Sequence, residues 1–268
     1  MKLYLAADIE GSCGFSKFSE GFSGDPNYDY FRRQMTQEVA AACRGALRAG
    51  ADEILIHDAH GTARNIDPAA LPNNTRLLRG SVGDPYAMLS GLKETGADAV
   101  MLTGFHSGAG TTGNPASHTF NRSTARILLN GSVMSEMLFD VYTAASLGVP
   151  TCFISGDEAL CAQARLLLPG VTAVPTVTGM GAASLSPHPE AVLAAIETAA
   201  ETAAGGDLAG CLPALPDTFT MQITFREWTD AYFNSFYPGI RQLDPCTLEY
   251  TAESWYEMLV MVHFVLDK

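Results

Sequence analysis

Four apolar runs in this chain end on side chains that bind metals or move protons. LYLAADIEG closes on Asp8 and Glu10, EILIHDAHG on His57, Asp58 and His60, AVMLTGFHSG on His106, and TCFISGDE on Asp157. Asp8 and Glu10 stand two apart, so on an extended backbone they leave the same face and can converge on one point. Two carboxylates held that close repel, and a divalent cation is the usual remedy. Taken alone, the pair reads equally well as a strand-end aspartate capping a turn beside a solvated glutamate. His60 and His106 repeat one arrangement, a strand followed by a histidine, and the repeat argues for a shared site. Asp58 is placed to orient the His60 imidazole, whereas His57, as the last residue of its strand, reads as structural. His118 follows a Gly/Thr-rich stretch between Ser117 and Thr119, where a histidine can titrate near neutrality and carry protons, or simply sit in solvent. Glu136 opens a predicted helix, a place where the macrodipole alone favours an acid.

Such scattered groups meet only if a frame gathers them. Parallel strands with helices on both faces align their carboxyl ends along one edge, where ligands bind. Strands are predicted at 2–7, 53–57, 99–103, 151–155 and 171–177, with helices at 26–48, 85–95, 136–145 and 158–168 between them. That alternation implies right-handed crossovers. Asp25 is the predicted N-cap of the first helix, with Pro26 at its first position and Tyr30, Met35, Val39, Cys43 and Leu47 near one face. SGAGTTGNPAS at 107–117 predicts a mobile loop, and Asn130-Gly131 between two apolar runs predicts a two-residue hairpin turn. Ser135 caps the helix that begins at Glu136. Pro187 lies near the start of an alanine-rich helix ending at Gly205-Gly206, and LPALPD makes a joint. Beyond it FTMQITFRE alternates as a half-buried strand should, followed by short helices at 228–236 and 254–266. The expected fold is α/β: a mostly parallel sheet with helices on both faces, in a metal-binding catalytic domain at 1–186, plus a smaller C-terminal α/β domain at 187–268.

Composition narrows the partners. The 268 residues are 47% hydrophobic and 17% charged, enough to bury a sizeable core. Sixteen Lys+Arg against 29 Asp+Glu give a net charge of -13, which repels phosphate backbones and anionic lipid alike. Nucleic acid and membrane are therefore excluded as partners. Six cysteines, Cys13, Cys43, Cys152, Cys161, Cys211 and Cys246, form no CxxC pair and fit reduced thiols in the cytoplasm. The opening apolar run stops at Asp8, too short for a signal peptide, and no run approaches the roughly 18 to 20 residues of a membrane span.

Together the motifs resemble the DppA-type D-aminopeptidase family of zinc metallopeptidases. The likeness lies in MKLYLAADIEGSCG, the DAH at 58–60, the GFH at 104–106, the SHT at 117–119, and NGSVMSEM leading into DVYTAASLGVP, in that order over most of the chain. By resemblance, Asp8, Glu10, His60, His106 and Glu136 hold two zinc ions and His118 is the catalytic histidine. Carboxylate and imidazole are good zinc ligands, and five ligands for two ions imply one shared carboxylate, here assigned to Asp8. A zinc pair acidifies water and polarises a scissile carbonyl, leaving His118 to handle protons. The family removes N-terminal D-amino acids, D-alanine especially, from short peptides and assembles into ring-shaped homo-oligomers, described as decamers. Trp228, Phe233, Phe236 and Trp255 can supply an interface or a core. Two departures stand out: the His106 to His118 interval is about one residue longer than the family pattern, and TVTGMGAASLSP carries no basic residue. The second removes a contact to a substrate carboxylate and admits longer, blocked or amidated substrates. The alternatives are a binuclear metallohydrolase acting on another amide or an ester, and an inactive binding relative. The complete ligand set with His118 argues against decay of the site.

Overall fold

The computed structural model describes residues 1–266. Its strands in chain order are β1 (Lys2–Ala7), β2 (Glu53–Asp58), β3 (Thr75–Leu78), β4 (Ala99–Phe105), β5 (Thr124–Leu129), β6 (Ser132–Val133), β7 (Thr151–Asp157), β8 (Thr172–Met180), β9 (Ala183–Leu185), β10 (Phe219–Phe225), β11 (Arg241–Gln242) and β12 (Thr247–Ala252). Its helices are α1 (Tyr28–Arg48), α2 (Leu92–Thr95), α3 (Glu136–Ser146), α4 (Glu158–Leu167), α5 (Pro189–Gly205), α6 (Trp228–Asn234) and α7 (Trp255–Val265).

Seven strands form the main sheet in the order β3-β2-β1-β4-β7-β8-β9, parallel except for the last pair. The chain runs outward from β1 to β3, then crosses to the other side of β1 and runs outward again from β4. The order reverses between β1 and β4, and the crevice beyond their carboxyl ends is where such sheets bind ligands.

Both faces of the sheet are apolar because both are covered. Leu3 and Leu5 of β1 join Ile54, Met101 and Phe153 under α1 and α5. Tyr4 and Ala6, one residue out of phase, join Val100, Leu102 and Ile154 on the opposite side with α3 and α7. The two covering helices α1 and α5 touch backbone to backbone: a Cβ on Gly45 would lie 2.0 Å from the Glu197 carbonyl oxygen. The second core continues into an antiparallel sheet, β11-β12-β10-β5-β6. Phe219, Met221, Ile223 and Phe225 of β10 alternate inward, as their spacing predicts. Asn130 and Gly131 both take positive φ, 49° and 83°, the two-residue turn that joins β5 to β6.

The elements depart from expectation where side chains intervene. Asp25 accepts from the Asn27 amide and the Ser19 hydroxyl, which turns the chain first and delays α1 to Tyr28. The helix expected at 85–95 splits into a 3-10 turn at Ala87–Leu89 and the short α2, because Gly91 between them sits at φ 85°. Residues 107–117 are irregular, as expected, but packed rather than free. Ala109 and Asn114 are buried, and a Cβ on Gly113 would meet Ser107 Oγ at 2.1 Å. The division expected at 186/187 does not coincide with a boundary between the sheets. From beyond it α5 returns to cover α1, and from before it β5 and β6 join the second sheet. Apolar faces, rather than the Pro-rich joint, decide where each element docks. Among the described residues no helix is long and apolar enough to cross a membrane.

Candidate metal centre

Asp8 follows β1 directly, and its amide donates to the Thr103 carbonyl at 2.8 Å while that of Gly11 donates to the Gly104 carbonyl at the same distance. Those two bonds stitch the Asp8–Glu10 turn onto the end of β4. Gly104, at φ 72°, is indispensable to the contact, since a Cβ there would lie 2.1 Å from the Asp8 carbonyl oxygen. His60 lies two residues past β2 and His106 immediately past β4. Glu136 is the first residue of α3, behind the Ser135 cap, whose hydroxyl accepts from the Leu138 amide. His118 comes from the packed irregular segment, which Asn114 ties to the site by donating to the Glu10 carbonyl at 3.0 Å.

All six side chains are buried, and they converge. His60 Nδ1 lies 3.1 Å from Asp8 Oδ1 and 3.0 Å from Glu10 Oε2. His106 Nε2 lies 3.4 Å from Asp8 Oδ2 and 3.5 Å from Glu136 Oε1. His118 Nε2 lies 3.9 Å from Glu10 Oε1 and 3.8 Å from Glu136 Oε1. Three ligand-type triplets result, Asp8/Glu10/His60, Asp8/His106/Glu136 and Glu10/His106/His118, each with its atoms within 4.8 Å of one another. Asp8 belongs to the first two.

Backbone carbonyls fix the imidazoles. His60 Nε2 meets the Gly21 oxygen at 2.8 Å, His106 Nδ1 the Ser107 oxygen at 3.0 Å, and His118 Nδ1 the Ala116 oxygen at 2.9 Å. A carbonyl only accepts, so in each neutral ring the proton sits on the outer nitrogen and the inner nitrogen offers a lone pair. For His60 that lone pair would face two carboxylates at about 3 Å, an arrangement that requires a proton or a cation between them. Asp8 Oδ2, both Glu10 oxygens and His106 Nε2 are buried without a hydrogen-bond partner. These orphaned inward atoms, all oxygen or imidazole nitrogen, fit divalent zinc.

The electrostatics agree. Burial, with Glu10 alongside, pushes Asp8 up to about 7. Burial favours the neutral imidazoles, but the facing carboxylates prevail, raising His60 well above its ordinary value and His106 to about 10. Glu10 and Glu136 are held low by those same histidines, against the desolvation that opposes it. His118 goes the other way, lowered by burial and by the charge of His106 stacked 4.2 Å from it. The cluster demands positive charge, which histidine protons or divalent cations can supply.

A cavity of about 470 Å³ opens onto the cluster, walled by Phe18, Phe22, Met88 and Phe120. Phe18 sets its edge against His118 at 4.9 Å, and Phe22 lies 5.0 Å from His60. These aromatics were not singled out in the sequence, although FSKFSEGF, directly after the Asp8–Glu10 turn, was a usable signal. Three other polar residues at these strand ends stand outside the cluster, His57 among them as its structural reading expects. Asp58 accepts from the amides of Asn65 and Ile66 and from Asn65 Nδ2, which also reaches the His60 carbonyl. It therefore braces the backbone of the loop and does not touch the imidazole. His57 bonds the Met88 carbonyl through Nδ1 and edges the cavity. Asp157 caps α4 and grips the amide and hydroxyl of Ser107, fixing the residue beside His106.

The family model described as D-aminopeptidase matches residues 1–264. The D-aminopeptidase of Bacillus subtilis (strain 168) is 28% identical over 274 aligned positions, covering 99% of this chain and 98% of that protein. Among solved structures, the Zn-dependent D-aminopeptidase DppA from Bacillus subtilis, described as a self-compartmentalizing protease, superposes with a TM-score of 0.89 at 25% identity. It covers 100% of this chain and 99% of its own.

Proposed function

The chain belongs to the D-aminopeptidase family, and from that premise we propose a zinc-dependent aminopeptidase that removes N-terminal D-amino acids, D-alanine among them, from short peptides. The observation that carries the reading is the buried convergence of Asp8, Glu10, His60, His106 and Glu136, in which Asp8 Oδ2, both Glu10 oxygens and His106 Nε2 have no hydrogen-bond partner. These five residues would hold two zinc ions, with Asp8, common to two triplets, as the shared ligand. Bound there, zinc would polarise the scissile carbonyl and make water more acidic.

The chain's own residues supply the rest. His118 keeps Nε2 toward the cluster and, held below its ordinary value, stays neutral near pH 7, ready to take a proton during attack and return it to the leaving amine. Phe18, Phe22 and Phe120 exclude bulk water and strengthen every charge interaction inside. Glu136 accepts from the Phe120 amide at 2.7 Å, which holds a ligand and the wall together.

Two further parts of the reading concern assembly and place. The exposed aromatics Trp228, Tyr232 and Phe236 on and beside α6, 54 to 71% accessible, support a ring-shaped homo-oligomer, a decamer by family likeness. Trp255 is not part of that surface; it is buried among Phe139, Tyr142 and Phe219. Six free cysteines support the reducing cytoplasm.

The test is a panel of D- and L-aminoacyl p-nitroanilides and dipeptides with added zinc, alongside elemental analysis. Turnover of D-alanyl substrates with about two zincs per chain is expected. Hydrolysis confined to L-residues or to esters would move the function to another metallohydrolase, and inertness with bound metal would make it a binding relative.

A further inference from the structure

We infer that Arg122 is the specificity-determining residue for short free-acid peptides, binding the substrate's terminal carboxylate at the mouth of the cavity. This rests on the aminopeptidase reading and assigns a role to a residue outside the metal cluster.

Among the described residues, five of the twelve arginines pair with carboxylates. Arg32 meets Asp29, Arg44 meets Glu197, Arg48 meets Glu201, Arg76 meets Glu53 and Arg241 meets Glu249. Arg122 is not among them, and what sets it apart is its place. Among the described residues no carboxylate lies within ion-pair distance of its guanidinium, which instead sits 5.0 Å over the Phe18 ring. It is also the only lysine or arginine of the described residues that lines the cavity, in a molecule of net charge -13. A lone cation at the mouth of an otherwise acidic pocket is matched to an anionic part of the ligand. Stacking on Phe18 keeps the planar fork aligned while leaving its N–H groups available.

Position supports the assignment. Arg122 lies four residues after His118, and Phe120 between them holds a left-handed φ of 61°, unusual for an aromatic. That conformation is stabilised by the Phe120 amide donating to Glu136. Phe18 bridges the two functional groups, its ring 5.0 Å from the Arg122 guanidinium and 4.9 Å from the His118 imidazole. Those two spacings put the guanidinium at most about 10 Å from the His118 ring, and an extended residue advances the chain by roughly 3.5 Å, a gap that a di- or tripeptide can span. No residue of the stretch 176–187 lines this cavity, so its want of a basic residue does not bear on the carboxylate contact.

The test compares D-alanyl-glycine with D-alanyl-glycinamide and D-alanine p-nitroanilide, with zinc-loaded protein and its Arg122→Gln and Arg122→Lys variants. The wild type should favour the free acid over the amide, and Arg122→Gln should shrink that ratio of kcat/KM by about 10- to 100-fold, chiefly through KM. Arg122→Lys should restore part of the ratio, because the charge returns without the fork. A wild type indifferent to acid or amide overturns the inference, as does an Arg122→Gln variant that loses both substrates equally. In either case hydrolysis of the anilide leaves the aminopeptidase reading standing, whereas a wild type inert toward all three sinks both.

Discussion

The carboxyl edge of the parallel sheet and the outer helix of the antiparallel sheet break the same rule in opposite directions. At the edge, Asp8, Glu10 and Glu136 are buried among histidines, and Asp8 and Glu10 have oxygens that find no partner. On α6, Trp228 and Tyr232, with Phe236 beside them, lie more than half exposed. Exposed polar and buried apolar residues need no explanation, whereas these two regions do. One region encloses carboxylates that need protons or cations for balance, and the other displays apolar surface that the described residues leave uncovered. In the proposed zinc enzyme and its oligomer each would be completed from outside the protomer, by cations in the first case and by protein in the second.

The sharpest way to break that contrast is at Asp8. Asp8→Asn should abolish turnover and lower bound zinc in metal-replete protein. In the presence of chelator the same variant should unfold at a higher temperature than the wild type, by roughly 2–4 °C per kcal/mol of relieved repulsion. A variant that is equally destabilised with and without metal would mean that Asp8 is simply structural. Next in size is His118→Ala, expected to keep its zinc yet lose turnover by roughly 10² to 10⁴, which separates the group that moves protons from those that hold cations. Near-normal rates would remove His118 from the chemistry.

For the apolar region, the double variant Trp228→Asp/Phe236→Asp should shift sedimentation from an oligomer to the protomer, because buried aromatic anchors contribute on the order of 2 kcal/mol or more each. An unchanged profile would leave α6 outside the interface.

The smallest effect concerns a buried carboxylate answered by a proton instead of a metal. Glu38 accepts from the Cys13 amide and Gln34, has an unpaired second oxygen, and is pushed up by burial from 4.5 to about 7. The folded protein thus retains a proton that the unfolded chain releases. Its contribution is fully present below about pH 4.5 and fades as pH rises through 7, by on the order of 3 kcal/mol. Urea unfolding of Glu38→Gln at pH 5 and 8 should show this slope reduced relative to wild type, and an identical slope would exclude the assignment.

Asp8, Glu10, His60 and His106 were legible in the sequence because strands ending at 7, 58 and 105 deliver consecutive residues to one edge. Glu136 and His118 carried no such signal: a helix-start glutamate and a loop histidine look ordinary, and only resemblance marked them. The role of Asp58 was misread because a carboxylate two residues from a histidine can brace either the ring or the backbone, and Asn65 settles that choice. The aromatic wall and Arg122 were not legible as a group, since Phe18, Phe22, Phe120 and Arg122 meet only after two loops fold over one edge.

What the sequence determined by itself is periodicity: apolar runs of strand length between amphipathic helices, which impose a covered parallel sheet and place polar residues at its ends. What tertiary structure decided is which ends become neighbours, how α5 returns to α1, and which nitrogen of each histidine faces inward. Those outcomes depend on contacts between segments a hundred or more residues apart, such as Asn114 on the Glu10 carbonyl, whose energies exist only once burial has excluded water.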